Sequence, residues 1–394
     1  MSEERRTLEQ RLRTVESRAW LVGAFSLAAS AVGAWMRPAA FFPGYLFAYM
    51  FWLSLSLGSL AVLMIHYLVG GGWGFMTRRI LEAATRVLPV LALLFLPLLF
   101  GLKELYPWAR PEALREEHLS HQRPYTNLGF FLARAVFYFS SWILCSWLLN
   151  RWSSAGDEAR NPALWARRYR LSGGGLVLYA VTIFFASVDW VLSTEPRWSS
   201  TIFGMLFMSG QGLAGFALIT GVAVLMSREE PLRRVVTPDR LQDLGNLLLT
   251  SVMLWAYISF SQYLVIWSEN LPREVTWVAH RTTPGWRQVA LALIVLHFAV
   301  PFFLLLFRDV KRRGPWIAAI AFGLLAMHLV DEFWRVIPAF EPDRLAVRWT
   351  YLTAPVGIGG VWVAVFSRSL RRRPLLPLND PVFHPLLSEA RPHG

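Results

Sequence analysis

Apolar residues in this chain fall in runs long enough to carry a helix across a hydrocarbon layer of about 30 Å. The polar intervals between them are short. Ten spans are predicted, at 19–36, 44–69, 80–101, 128–150, 172–193, 200–227, 242–268, 286–307, 315–337 and 349–367. No interval is long enough to fold separately, so the pattern predicts an all-α membrane protein with one polytopic domain. Residues 1–18, MSEERRTLEQRLRTVESR, mix acids with Arg and show no short apolar core ahead of a small-residue cleavage site. They read as an N-terminal segment, with the first span acting as its own insertion signal. Residues 369–394 are rich in Pro, lack helical periodicity, and read as an extended tail.

Composition agrees with that picture. Of 394 residues, 55% are hydrophobic and only 16% charged, which removes the chain from the soluble average. Lys and Arg concentrate in the N-terminal segment, the loops after spans 2, 4, 6 and 8, and the tail, so both termini are expected on the cytoplasmic side. The net charge of +13 therefore reads as topology and anionic-lipid contact, with no nucleic-acid partner. A single cysteine, Cys145 in span 4, excludes a disulfide framework, a thiolate iron–sulfur site and a c-type haem attachment motif within this chain. No Gly-rich phosphate loop or zinc spacing is present.

Ionisable residues inside spans are costly in lipid and often line pathways or pockets. Three groups stand out. His66 ends span 2 and Glu82 begins span 3, where Glu82 and Arg86, four apart, are spaced to pair on one helix face, with Arg78 and Arg79 expected to snorkel to headgroups. On the other side, HLSHQRPYTN brings His118, His121, Arg123 and Tyr125 to the start of span 4, which carries Arg134, and span 5 carries Asp189 near its end. Arg134 and Asp189 lie at similar depth on successive helices and can neutralise each other, either as a structural pair or as part of a site. The third group is His297 in span 8 with His328, Asp331 and Glu332 in AMHLVDEFWRV of span 9. His328 and Asp331 share a face at i, i+3, and a His beside a carboxylate can hold a proton. As haem ligands His66, His297 and His328 offer no obvious paired set. Trp190, Trp198, Trp267, Trp277 and Trp286 near span ends are expected to form an interfacial belt.

Four stretches carry a resemblance: HQRPYTNLGFFLARAVFYFSSW, SVDWVLSTEPRWSSTIFG, DLGNLLLTSVMLWAYISFSQYLVIWSENLPREVTWVAHR and HFAVPFFLLLFRDVKRR. Together they resemble the NrfD-like membrane subunits of alternative complex III, a bacterial quinol:cytochrome c oxidoreductase, over about residues 19–368. The chain is most similar to the smaller subunit type, ActF, which shares its core with the larger type, ActC. The resemblance implies ten helices, with spans 2–5 and 6–9 as two four-helix bundles flanked by the first and last spans. It also implies a place in the bacterial cytoplasmic membrane, beside a second NrfD-like subunit (ActC), an iron–sulfur subunit and multihaem and monohaem c-type cytochromes, with a terminal oxidase as a candidate further partner. Haem and iron–sulfur clusters would belong to those partners, and the mobile substrate would be menaquinol. The larger subunit is credited with the quinol site; the smaller is a candidate proton conductor.

The family's loop His, span 4 Arg and span 5 Asp fall on His121, Arg134 and Asp189, and its inner His and Glu on His66 and Glu82. Gln122, Thr126 and Arg197 stand where the family often shows Lys, Leu and His. The leading expectation is a subunit without its own redox centre that supports quinol oxidation. His121, Arg134 and Asp189 would form a quinone pocket or its vestige, while His66, Glu82, Asp189, His297, His328 and Asp331 are candidate proton-relay groups. A purely structural anchor is the alternative, and a secondary transporter, which would need inverted repeats and helices broken near the midplane, is a third.

Overall fold

The computed structural model describes residues 3–112, 124–158, 161–229, 232–269 and 271–376. Lipid offers backbone N–H and C=O groups no water, so an apolar run must close its hydrogen bonds within itself as a helix. Ten helices among the described residues are long and apolar enough to span a membrane. They are α1 (Leu8–Met36), α2 (Pro38–Val69), α3 (Gly72–Phe100), α4 (Leu128–Asp157), α5 (Ala163–Thr194), α6 (Phe203–Met226), α7 (Pro238–Glu269), α8 (Trp286–Leu306), α9 (Gly314–Ala339) and α10 (Thr350–Arg371). No strand occurs among the described residues. An even number of spans puts the start of α1 and the end of α10 on one side, the terminal side; the opposite is the far side.

Several helices outrun their apolar stretches. The first extends back to Glu3, so most of the segment before residue 19 continues α1. α4 reaches Asp157, α5 begins at Ala163, and α10 runs to Arg371, past the expected start of the tail at 369. Arg, Glu and Ala are good helix formers, so loss of hydropathy does not end a helix. Residues 377–394 of the tail lie outside the described residues.

α2, α3, α4 and α5 pack as one group and α6, α7, α8 and α9 as another, while α1 lies along α10, which itself rests on α2. The expected pair of four-helix bundles with flanking first and last spans is the arrangement found. The bundles meet along α2 and α6. Gly58 and Gly215 permit that approach: a Cβ on Gly215 would sit 2.8 Å from the Gly58 carbonyl carbon, and one on Gly58 would overlap the Gln211 carbonyl oxygen. α1 and α10 likewise touch through Gly23, whose Cβ would lie 2.9 Å from the Val361 nitrogen. Such close backbone contact supplies packing energy where lipid gives no hydrophobic drive.

Two helices are irregular inside their apolar runs. Pro89 and Pro97 interrupt the ladder of α3 near Val87 and Phe95. α8 is π-helical over Leu293–Ala299, just ahead of Pro301, and carries His297 in that segment. The aromatic belt is also corrected. Trp190, Trp198, Trp277 and Trp286 are buried, and Trp267 alone of the five is exposed. Their indoles fill the interior: Trp190 packs on Phe95 and Phe139, and Trp198 stacks on Trp277 with ring centroids 4.6 Å apart.

Candidate functional site

The far-side pair forms as the depth argument predicts. Arg134 Nε and Nη2 donate to Asp189 Oδ2 and Oδ1, each at 2.8 Å, in a two-pronged fork. Tyr138, one turn further along α4, donates to Asp189 Oδ2 at 2.9 Å. Arg134 Nη1 donates to the Tyr125 main-chain oxygen at 3.0 Å, and its guanidinium lies 3.9 Å from the centre of the Tyr125 ring. Asp189 is 2% exposed, yet it lines a cavity of about 1510 Å³ whose wall also includes Trp108, Tyr125, Phe131, Arg134 and Arg197. His121, His118 and Arg123 lie outside the described residues.

At the terminal end of the first bundle Glu82 has different partners from those expected. Its carboxylate faces backward along α3: Arg79 Nη1 donates at 2.7 Å, and Arg78 Nε stands 3.5 Å away. Ser153 on α4 donates at 2.5 Å and Tyr67 on α2 at 3.5 Å. Arg86 turns instead to Asn150 Oδ1, to which its Nε donates at 2.7 Å. Arg78 and Arg79 do not snorkel; both are buried, and Arg79 also pairs with Asp157. Because α3 breaks after Thr85, its first segment is enclosed by the bundle rather than presented to headgroups. His66 is fully buried against Trp73, Tyr67 and the Gly74 backbone, where a Cβ would overlap the imidazole.

The third group assembles, around a residue not singled out from sequence. Arg335 on α9 pairs with Asp331 and lies 3.3 Å from Glu332 Oε1. Trp255 on α7 donates to Asp331 Oδ2 at 3.0 Å. The carboxylate nearest His328 is Glu332, with Oε1 at 3.8 Å from Nε2, rather than the expected Asp331. The Arg335 guanidinium draws Asp331 away. His297 stacks on Trp255 with centroids 4.3 Å apart and stands 6.3 Å from the His328 ring. Ser54 of α2 reaches His328 Nε2 at 2.7 Å, joining the first bundle to this group.

A fourth cluster extends the third to the far surface. Arg281, buried in the connection between α7 and α8, donates from Nη2 to Glu195 Oε2 at 3.0 Å and to the Arg335 main-chain oxygen at 2.7 Å. Its guanidinium lies 3.9 Å from the Trp277 ring centre, and His280 Nδ1 is 3.1 Å from Glu195 Oε1. Burial would raise the Glu195 carboxyl, but Arg281 and His280 outweigh it and hold Glu195 below the usual carboxylate range. Burial pulls the Arg281 guanidinium down against the support of Glu195.

The structure thus unites His297, His328 and Asp331, and unites Arg134 with Asp189 at a cavity. It places Glu82 in a separate network at the opposite end of the first bundle. Arg335 had a visible signal, an Arg four residues after Asp331 in AMHLVDEFWRV, and Glu195 and Arg281 sit in the quoted STEPRW and WVAHR stretches. Among the described residues no three His, Cys, Asp or Glu side chains come together to hold a metal ion. No model of a known protein family matches the chain, and a search of curated proteins finds no match.

Proposed function

We propose that the chain is an NrfD-like membrane subunit, of the smaller ActF type, in a respiratory quinol:cytochrome c oxidoreductase of the alternative complex III kind. It carries no redox centre of its own and supports quinol oxidation and proton movement beside an ActC-type subunit, an iron–sulfur subunit and c-type cytochromes. Its place is the bacterial cytoplasmic membrane with both termini inside, as the distribution of Lys and Arg favours.

The observation that carries this reading is the Arg134–Asp189–Tyr138 constellation in the wall of the far-side cavity. Quinol oxidation releases two protons with two electrons, so a headgroup site needs an acceptor for an O–H and flat apolar walls. Asp189 supplies the acceptor, Arg134 fixes its charge, and Trp108, Tyr125 and Phe131 supply aromatic surface of the kind such sites use. These residues fit a quinone headgroup. The buried chain from Ser54 and His328 through Arg335 to Arg281 and Glu195 adds titratable groups running from mid-depth to the same side. The anchor reading keeps one specific support: both Asp189 oxygens are already engaged by Arg134, as a purely structural pair would be.

Purification of the tagged chain from native membranes in mild detergent, with mass spectrometry and an absorption spectrum, tests the assignment. Iron–sulfur and multihaem cytochrome subunits with c-type haem bands are expected to co-purify. A colourless chain recovered alone, from a preparation that keeps other respiratory complexes intact, overturns the proposal and turns attention to transport.

A further inference from the structure

At the terminal end of the first bundle two guanidiniums share one neutral residue, Asn150. Arg86 Nε donates to Asn150 Oδ1 at 2.7 Å, while its Nη2 is buried with no hydrogen-bond partner. Arg373, just beyond α10, donates from Nη1 to the main-chain oxygen of the same Asn150 at 3.3 Å. The carboxylate near Arg373, Glu82, is 3.9 Å away and already receives Arg79 and Ser153 at shorter distances. An amide offers no charge to offset either cation, and neighbouring cations repel. A guanidinium N–H without an acceptor calls for one, and beside two cations an anion supplies both the acceptor and the opposite charge.

The level in the membrane says what kind of anion. The predicted span 4 ends at residue 150, α10 ends at Arg371, and Arg86 is bonded to Asn150. Arg86, Asn150 and Arg373 therefore lie where hydrocarbon gives way to headgroups. Arg151, next to Asn150, is exposed at the same level, with its guanidinium 5.1 Å from the exposed Trp147 ring. Below it Leu93 of α3 and Leu144 of α4 are more than half exposed, an apolar wall suited to acyl chains. Arg86 and Arg373 are themselves partly exposed, so the group is reachable from the bilayer.

We propose that Arg86 and Arg373, with Arg151 at the rim, bind the phosphate of an anionic membrane lipid at the terminal face of α3, α4 and α10. Paired guanidinium N–H groups match phosphate oxygens in spacing and charge. Asn150 holds the two cations together in the unliganded arrangement. Free phosphate has the same headgroup chemistry but gains nothing from the apolar wall.

The test uses the full-length chain, delipidated in neutral detergent and titrated with phosphatidylglycerol, phosphatidylcholine or inorganic phosphate, with binding read by native mass spectrometry and by thermal stabilisation. Phosphatidylglycerol is expected to bind more tightly than phosphatidylcholine. Arg86→Gln and Arg373→Gln should each weaken it by roughly tenfold, the worth of one charge-assisted hydrogen bond. Arg233→Gln, an exposed cation on the same side, should leave it unchanged. Should Arg86→Gln fail to fold, Arg373→Gln decides, because it lies past the end of α10. Unchanged phosphatidylglycerol affinity in the folded variants, or equal binding of phosphatidylcholine, overturns the site. Displacement of the lipid by millimolar inorganic phosphate overturns the lipid assignment in favour of a free-anion site.

Discussion

Ser54 on α2 and His328 on α9 stand 2.7 Å apart, and the other bond made by Ser54 decides which way this contact runs. Its hydroxyl donates its one proton to the Phe51 main-chain oxygen at 2.6 Å. The serine oxygen must then accept from His328, so Nε2 carries the hydrogen and Nδ1 keeps the lone pair. The two bundles are thereby hooked together at mid-depth beside Glu332 and Arg335. Ser54→Ala removes the acceptor and strands a buried N–H, a loss of about 1–3 kcal/mol. It should lower the thermal unfolding midpoint in detergent. With Glu332 Oε1 only 3.8 Å from the same nitrogen, adding Glu332→Leu, which has no acceptor, should cost more than the two single changes summed. Strict additivity would show that the two acceptors do not serve one imidazole.

Asp189 separates the catalytic from the structural reading of the far-side pair. Asp189→Asn keeps the shape but leaves Arg134 facing a neutral amide in a largely buried place. Breaking a buried pair from one side costs about 3–5 kcal/mol, whereas replacing both partners by apolar residues is often close to neutral. The double change Arg134→Met with Asp189→Leu should therefore recover much of the stability lost in Asp189→Asn. If the carboxylate accepts a quinol proton, quinol turnover in the assembled complex should stay low in the stable double variant. Wild-type turnover there would assign the pair to packing alone.

The spans were legible because lipid demands length and hydropathy together, and Arg134 and Asp189 were legible because each is isolated among apolar residues at matching depth. Glu82 was assigned the wrong partner for a physical reason: spacings of four forward and four backward are equally open on a helix. Only the break after Thr85 and the arrival of Ser153 from α4 favour Arg78 and Arg79. Ser54 was illegible because serines in apolar helices usually bond their own backbone, as Ser59 does to Leu55. Nothing local marks which serines reach a second helix, as Ser54 and Ser56 both do. Arg281 required knowing that Trp277 would turn inward to cover it, which the belt expectation denied.

Glu195 makes a pH-dependent contribution whose sign follows from its environment. Against the opposing effect of burial, Arg281 and His280 hold its carboxyl below the ordinary range, so the folded chain releases this proton more readily than the unfolded one. The stabilisation is fully present above the unfolded carboxylate value, about 4.3, and is lost as pH falls through the lower folded value. Wild type should therefore unfold at a higher temperature than Glu195→Gln at neutral pH, with the gap narrowing below about pH 4. A gap that stays constant through acid would mean that Glu195 contributes by shape rather than by charge.

Gly58 is where the two bundles permit no side chain. A methyl group there would run into the Gln211 carbonyl oxygen, part of the α6 backbone, which cannot rotate aside. Gly58→Ala must separate α2 from α6, and overpacking of this kind typically costs about 1–3 kcal/mol or more. Separation would also stretch the Ser54–His328 contact one turn away on the same helix. Gly212, on α6 within the same apolar stretch, has open space around its Cβ position, so Gly212→Ala should be neutral or slightly stabilising through helix propensity. Size-exclusion profiles and thermal midpoints of the two variants side by side check the claim. Equal tolerance would mean that α2 and α6 are not held together by backbone contact.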